Sequence, residues 1–101
     1  MQAFGEKRVQ VVVASRLSDA VHRAEFLRLS ELTAKWLARQ PGFLRYELCE
    51  TADGWFDTML WTDQSSADAG NAAFAHTEIA SAFARIVEPD FIKHSGRLTE
   101  L

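Results

Sequence analysis

The sequence predicts an α+β domain in which a four-stranded antiparallel sheet carries its helices on one face. Three observations point to this fold. The apolar periodicity switches between strand and helix in the order βαββαβ, a turn signal separates the second and third strands, and both prolines lie where a helical pattern stops. At 101 residues, with 48% hydrophobic and 25% charged side chains, the chain is expected to form one domain over residues 1–101.

The first half of the chain predicts a strand, a long helix and a second strand. Residues 8–15 are rich in valine and predict a buried strand, β1. Apolar side chains at helical spacing, from a cap at Ser18 or Asp19 to about Gln40, predict an amphipathic helix, α1. After the Pro41-Gly42 break, strict alternation over residues 43–50 predicts the strand β2.

A hairpin is predicted to join β2 to a third strand, β3, over residues 55–63. Asp53-Gly54 suits a two-residue type I′ turn, because both central residues of that turn need a positive φ. This turn places Tyr46 opposite Trp61. One sheet face then carries Leu44, Tyr46, Leu48, Trp55, Asp57, Met59 and Trp61. The other face carries Phe43, Arg45, Glu47, Cys49, Phe56, Thr58 and Leu60.

The second half predicts two short helices and a last strand. Ser65 or Ser66 caps a helix to about Ala75 (α2), Thr77 caps another over residues 78–87 (α3), and residues 90–98 form β4. Right-handed crossovers bring the helices to the same side of the sheet, which is the ferredoxin-like arrangement. The opposite face, with its large apolar side chains, is left uncovered, so we expect a homodimer through the sheet face.

Charge and apolar run length disfavour several classes of partner. The formal charge of −3 without a basic cluster, and the missing aromatic-rich signature of RNA-recognition strands, argue against nucleic acid. The longest apolar stretch, Val11–Ala14, is too short to cross a membrane. A single cysteine, Cys49, excludes an internal disulfide and fits a reducing compartment, so a cytoplasmic location is expected.

Asp57 is the most informative polar residue of the predicted sheet. A carboxylate among apolar neighbours must find a donor or line a wet pocket, and Tyr46 is the nearest partner on the same face. With Trp61 these residues would form a small pocket beneath the helices, holding one base, one hydroxyl and aromatic walls. The alternatives are that Asp57 is a carboxylate near the hairpin end facing water and that Trp61 only fills the core.

The segment Pro41-Gly42-Phe43-Leu44-Arg45-Tyr46-Glu47-Leu48, the short turn, the strand closing in Trp61 and the capped helices resemble the antibiotic biosynthesis monooxygenase family. The resemblance spans residues 8–98 and implies a dimeric α/β barrel. In its cofactor-independent, quinone-forming members, an Asn and a Trp four residues later on the third strand, with an Arg further on, activate and hold a phenolic substrate. Trp61 and Arg85 match two of these positions, whereas Asp57 stands where those enzymes carry Asn.

The resemblance implies an enzyme, with Asp57, Trp61 and Arg85 as catalytic residues. Tyr46, Asn71 and His76 would bind a small phenolic or quinol-type aromatic molecule, without a metal or cofactor. Two alternatives stay open. One is a dimeric ligand-binding domain without catalysis. The other is a haem-binding or haem-degrading member, in which His76 would be the residue to consider as the iron ligand.

Overall fold

A computed structural model describes residues 7–99 and 101 and has the predicted order of elements. The strands are β1 (Val9–Ser15), β2 (Phe43–Glu50), β3 (Trp55–Trp61) and β4 (Ile92–Arg97). The helices are α1 (Arg23–Leu37), α2 (Gln64–Phe74) and α3 (Glu78–Ala84), and a short 3-10 turn spans Ala20–His22. The sheet is fully antiparallel in the order β2-β3-β1-β4. The ferredoxin-like α+β prediction is confirmed.

The hairpin between β2 and β3 differs from its prediction. Glu50 pairs with Trp55, so the loop has four residues, and neither Asp53 nor Gly54 has a positive φ. Thr51 closes the loop instead: its N–H donates to the Gly54 carbonyl at 2.7 Å and its hydroxyl accepts from the Gly54 N–H at 3.0 Å. The predicted type I′ turn is therefore wrong. The two hydrogen bonds between Thr51 and Gly54 hold the ends of the loop together, so Asp53 and Gly54 do not need a positive φ.

The longer loop shifts the pairing of β2 with β3 by two residues. Tyr46 lies opposite Met59 rather than Trp61, and Leu48 lies opposite Asp57. Because side chains alternate with a period of two, a shift of two residues changes the partners but leaves each side chain on its predicted face. Tyr46 and Asp57 therefore still share a face.

A β-bulge at Leu44 reverses the predicted faces of two residues. The register shifts between Phe43 and Arg45, so Phe43 pairs with Trp61 and packs its ring against the Trp61 ring, with centroids 5.4 Å apart. Leu44, expected beneath the helices, is exposed instead. The bulge begins beside Gly42, whose φ of 79° is the left-handed conformation that glycine adopts at low cost.

Side-chain caps fix the helix starts. The Thr77 hydroxyl accepts from the Ala80 N–H at 3.1 Å, as predicted for α3. At α2 the cap is Asp63, which accepts from the Ser66 N–H at 2.8 Å, so the predicted caps Ser65 and Ser66 lie within the helix. Asp63 takes this role because β3 ends at Trp61, two residues earlier than predicted.

Two apolar clusters lie between the sheet and the helices. The first contains Val9, Val11, Leu37, Met59, Trp61 and Ala67. The second contains Phe26, Leu29, Trp55 and Ile86. The even-numbered residues of β1 and β3 face the other way, onto a surface that none of α1, α2 and α3 covers. Across residues 7–99 and 101, none of the helices has the length and apolar character that a membrane crossing requires.

Candidate active site

A cavity of about 310 Å³ lies between the sheet and the helices. Its walls are mainly apolar, with Val13 and Met59 from the sheet and the rings of Phe26, Phe74 and Phe83 from the helices. Such a volume is at the lower end of the range for small-molecule sites, and apolar walls with few polar groups are typical of them. The polar side chains along its wall are Ser15, Thr33, Asp57, Asn71 and Lys93.

Asp57 is the carboxylate of the cavity. It lies on β3 between Leu48 of β2 and Val13 of β1, and its Oδ2 accepts a hydrogen bond from the Tyr46 hydroxyl at 3.0 Å. Burial raises the pKa of Asp57 to about 6, although the Tyr46 hydrogen bond acts in the opposite direction. A carboxyl with this pKa is largely ionised at neutral pH and binds a proton more readily than an ordinary aspartate.

Tyr46 lies behind Asp57, outside the cavity wall. Burial raises the pKa of its phenol, and the negative charge of Asp57 raises it further, so Tyr46 stays a protonated donor at neutral pH. Its ring packs against the first apolar cluster. Tyr46 is therefore placed to orient the Asp57 carboxylate, whereas the sequence had suggested contact with a substrate.

Trp61 is enclosed in the core. It is 0% exposed, and its indole lies outside the cavity wall, between Phe43 and the helix α2. A side chain at Gly70 would overlap the six-membered ring of Trp61, so α2 lies directly on the indole. The Nε1 of Trp61 has no hydrogen-bond partner among residues 7–99 and 101. This geometry matches the core-filling alternative better than a wall that stacks on substrate.

Of the three remaining candidate residues, only Asn71 lines the cavity. Asn71 of α2 is half-buried and lines the cavity beside Gly70. Arg85 is the C-terminal cap of α3 and is exposed, and it lies near Glu25, whose pKa it helps to lower. His76 is exposed in the turn between α2 and α3. The structure thus places Asp57 and Asn71 on the cavity wall, with Tyr46 bonded to Asp57 from behind, and leaves Arg85 and His76 away from that wall.

Lys93 is a cavity residue that the sequence analysis missed. It lies on β4 opposite Val13, and Val13 in turn lies opposite Asp57 on β3. Asp57, Val13 and Lys93 therefore form one row across three strands, with Asp57 and Lys93 both lining the cavity. The alternation of Lys93, Ser95 and Arg97 with Ile92, His94 and Gly96 was the available signal, but the register of β4 was needed to use it.

The described residues do not provide a ligand set for iron or another metal. Within residues 7–99 and 101, no three His, Cys, Asp or Glu side chains converge on one point. The cavity wall contains no histidine or cysteine among those residues, so a haem held there would lack an imidazole or thiolate ligand. The residues present do not fit a haem in this cavity.

No protein-family model and no curated protein sequence matches the chain. Solved structures do match it over nearly their full length. SnoaB of Streptomyces nogalater, named as a cofactor-independent oxygenase, is 24% identical with a TM-score of 0.74, over 94% of each chain. A candidate antibiotic biosynthesis monooxygenase from Deinococcus radiodurans is 20% identical with a TM-score of 0.74, over 93% of this chain and 94% of that one. A conserved protein from Methanosarcina mazei Go1 is 14% identical with a TM-score of 0.81, over 94% and 96%.

These structures define the class of the domain. The chain has the fold of the antibiotic biosynthesis monooxygenases, and the resemblance predicted from the sequence is confirmed at that level. Proteins of one fold carry different activities, so the activity must be argued from the cavity.

Proposed function

We propose that this chain is a cofactor-independent oxygenase that oxidises a small phenolic aromatic molecule in the cavity between sheet and helices. The observation that carries the proposal is the half-buried Asp57 carboxylate at a mainly apolar wall, held by the Tyr46 hydroxyl at 3.0 Å. The name of SnoaB, a cofactor-independent oxygenase with this fold, supports the same reaction class. Burial of a carboxylate is unfavourable, and carboxylates in such surroundings are concentrated at functional sites.

In this proposal Asp57 is the general base. It accepts the proton of the substrate phenol through a lone pair that Tyr46 leaves free, and its pKa of about 6 matches that task near neutral pH. Tyr46 is a positioning residue that keeps the carboxylate directed at the cavity. Asn71, on the helix wall, would hydrogen-bond a second oxygen of the substrate. The three phenylalanines supply the apolar walls that hold an aromatic ring.

The reaction balances without an external reductant. The phenolate supplies the electrons that reduce O₂, one oxygen atom enters the ring as a new carbonyl, and the other leaves as water. A phenol with a free para position and O₂ thus give a quinone and H₂O. The protein deprotonates and orients the substrate and excludes bulk water. Deprotonation favours electron transfer because a phenolate gives up an electron more readily than the neutral phenol.

Oxygen uptake with a panel of phenols and dihydroxyaromatics tests the proposal. We expect protein-dependent consumption that Asp57→Leu lowers about a hundredfold or more, the range for loss of a general base. Asp68→Leu is the matched control, because Asp68 is an exposed carboxylate on α2 that accepts a hydrogen bond from Gln64. Equal turnover in Asp57→Leu and the wild type would remove Asp57 from the mechanism.

A non-catalytic ligand-binding domain is the alternative of a different class. It predicts that the same aromatic molecules bind in the cavity without any protein-dependent oxygen uptake. Calorimetric binding combined with the oxygen electrode separates the two functions, because binding without uptake across the panel would favour this alternative.

We further propose that the chain works as a homodimer through the open face of the sheet. Val12, Phe56, Leu60 and Ile92 lie on that face, and Phe56 and Ile92 are 37% and 56% exposed. Large apolar side chains on an open sheet face are costly to leave in water. Phe43, which we expected on this face, is turned inward by the bulge at Leu44. The proposed interface therefore lacks that ring.

Sedimentation velocity at micromolar concentration tests the dimer. Leu60→Asp places a charge on the open face, so we expect dissociation or unfolding, which circular dichroism distinguishes. Glu47→Gln is the control, because Glu47 is exposed on the same face and is paired with Arg45 at 3.9 Å, an interaction that contributes little. A wild-type protein that stays monomeric at this concentration would contradict the proposal.

A further inference from the structure

The two charged side chains of the cavity, Asp57 and Lys93, lie on opposite sides of Val13. Asp57 is on β3 and Lys93 on β4, and both are paired with Val13 of the intervening strand β1. Two strand spacings separate their backbones by about 10 Å, the length of a molecule with two or three fused rings. Both side chains point to the helix side of the sheet, away from the proposed dimer face.

Lys93 is available to a ligand. It lies on the edge strand β4, it is exposed, and it takes part in none of the ion pairs within the described part of the chain. The four ion pairs found there use arginines at the outer surface of the domain. Lys93 differs from these arginines because it borders a mainly apolar cavity whose other ionisable wall residue is acidic.

We propose that Lys93 is a specificity residue that selects aromatic substrates carrying a carboxylate at the end opposite their reacting phenol. The inference rests on the proposed function and names its substrate class. The Lys93 ammonium would pair with the carboxylate at the cavity mouth, and the phenol would then lie against Asp57. The reverse orientation brings the carboxylate against the half-buried Asp57, where like charges repel.

Two probes of the same shape separate the charge effect from simple apolar binding. The first is 6-hydroxy-2-naphthoic acid and the second is its neutral amide, each titrated calorimetrically at neutral pH. The wild type is expected to bind the acid more tightly than the amide. Lys93→Met keeps the length of the side chain but removes its charge, and should weaken acid binding roughly three- to tenfold, because the pair is partly solvated. Amide binding should not change.

Two variants serve as controls. Lys93→Arg keeps the positive charge and should retain the preference for the acid. Arg97→Met removes a positive charge from the same face of β4, opposite Val9 and outside the cavity wall, so it should leave both affinities unchanged. A general effect of net charge would instead lower acid binding in both methionine variants.

The outcomes separate this inference from the proposed function. Equal binding of the two probes to the wild type, or equal weakening of both by Lys93→Met, overturns the role of Lys93 and leaves the oxygenase proposal standing. Failure of both probes to bind the wild type overturns both, because the cavity would then not accept a hydroxylated aromatic molecule. A charge-dependent preference that is lost only in Lys93→Met supports the inference.

Discussion

Trp61 and Asp57 lie four residues apart on the same face of β3, yet their surroundings are opposite. Trp61 is completely enclosed between Phe43 and α2, which approaches closely because position 70 is glycine. At Asp57 the helix side of the wall combines three phenylalanine rings with the small side chains of Ala75, Ala80 and Ala84, and a cavity remains between helices and sheet. One strand face therefore provides both a packed core and a site, and how closely the helices approach it decides which.

The largest expected effect on stability comes from removing the Trp61 side chain from the core. Trp61→Ala removes the largest fully buried side chain, so the free energy of unfolding should fall by about 3–5 kcal/mol. Denaturant titration at fixed protein concentration measures this loss. Trp61→Phe should cost much less, since it keeps an aromatic ring and removes an N–H that has no partner among the described residues. Oxygen uptake retained in Trp61→Phe would agree with a core role, whereas its loss at normal stability would return Trp61 to the mechanism.

Asp57→Asn should raise the free energy of unfolding at neutral and higher pH, whereas Trp61→Ala lowers it. The folded chain binds the Asp57 proton with a pKa of about 6 and the unfolded chain with the ordinary value of 3.8. The contribution of Asp57 to stability is therefore fully present below pH 3.8, falls as the pH rises to about 6, and stays low above it. The total loss is at most about 3 kcal/mol, from 1.36 kcal/mol for each pKa unit.

The asparagine variant lacks this titration and should be more stable than the wild type at pH 8, with the difference disappearing towards pH 4. The charged or titratable groups near Asp57 are Tyr46 behind it and Lys93 across the cavity, and neither changes in this variant. Urea unfolding at several pH values measures the difference. A variant that is equally stable at pH 8 would indicate that Asp57 is well solvated in the folded chain.

Gly70→Ala tests the close contact between α2 and the Trp61 ring. Its methyl group would overlap the Trp61 ring, so α2 must move away from the sheet, at a cost of about 1–3 kcal/mol. Ala69→Gly is the neighbouring control on an exposed helix position, where the cost is about 1 kcal/mol from helix propensity alone. Thermal unfolding of the two variants would contradict the close contact if Gly70→Ala were the more stable.

Tyr46→Phe is expected to have the smallest effect on stability, about 1 kcal/mol for one hydrogen bond. Its effect on chemistry is more specific. The Tyr46 hydroxyl lowers the pKa of Asp57, so without it the pKa of Asp57 should rise and the acid limb of the rate profile should move to higher pH. Oxygen uptake measured from pH 5 to pH 8 follows that limb. An unmoved limb would remove Tyr46 from its positioning role.

The sequence predicted the order of the elements. It also placed Tyr46 and Asp57 on one face, a prediction that an even shift in strand register does not change. The two-residue turn at Asp53-Gly54 was wrong, but the shift it caused was even, so the faces of the two strands survived it. The bulge at Leu44 was not predictable, because it reflects how Phe43 packs on Trp61 after the chain has folded. Such tertiary packing is not encoded in local alternation.

The site itself was only partly predictable. Asp57 stood out because a carboxylate in an apolar pattern needs an explanation, and the structure supplies one with Tyr46 and the cavity. Trp61, by contrast, looked the same in the sequence whether it lined a pocket or filled the core. Lys93 was missed because its position depends on the pairing of β4 with β1, a contact between residues about eighty positions apart.

The row formed by Asp57, Val13 and Lys93 gives the cavity a direction. Unlike charges at its two ends mean that a flat ligand with two different ends has one favoured orientation rather than two. Under the proposed oxygenase reaction, the same ring carbon would meet oxygen in every turnover, so a single quinone isomer is expected from a substrate that offers two oxidisable positions. Regiochemistry would thus be set by strand pairing at the edge of the sheet.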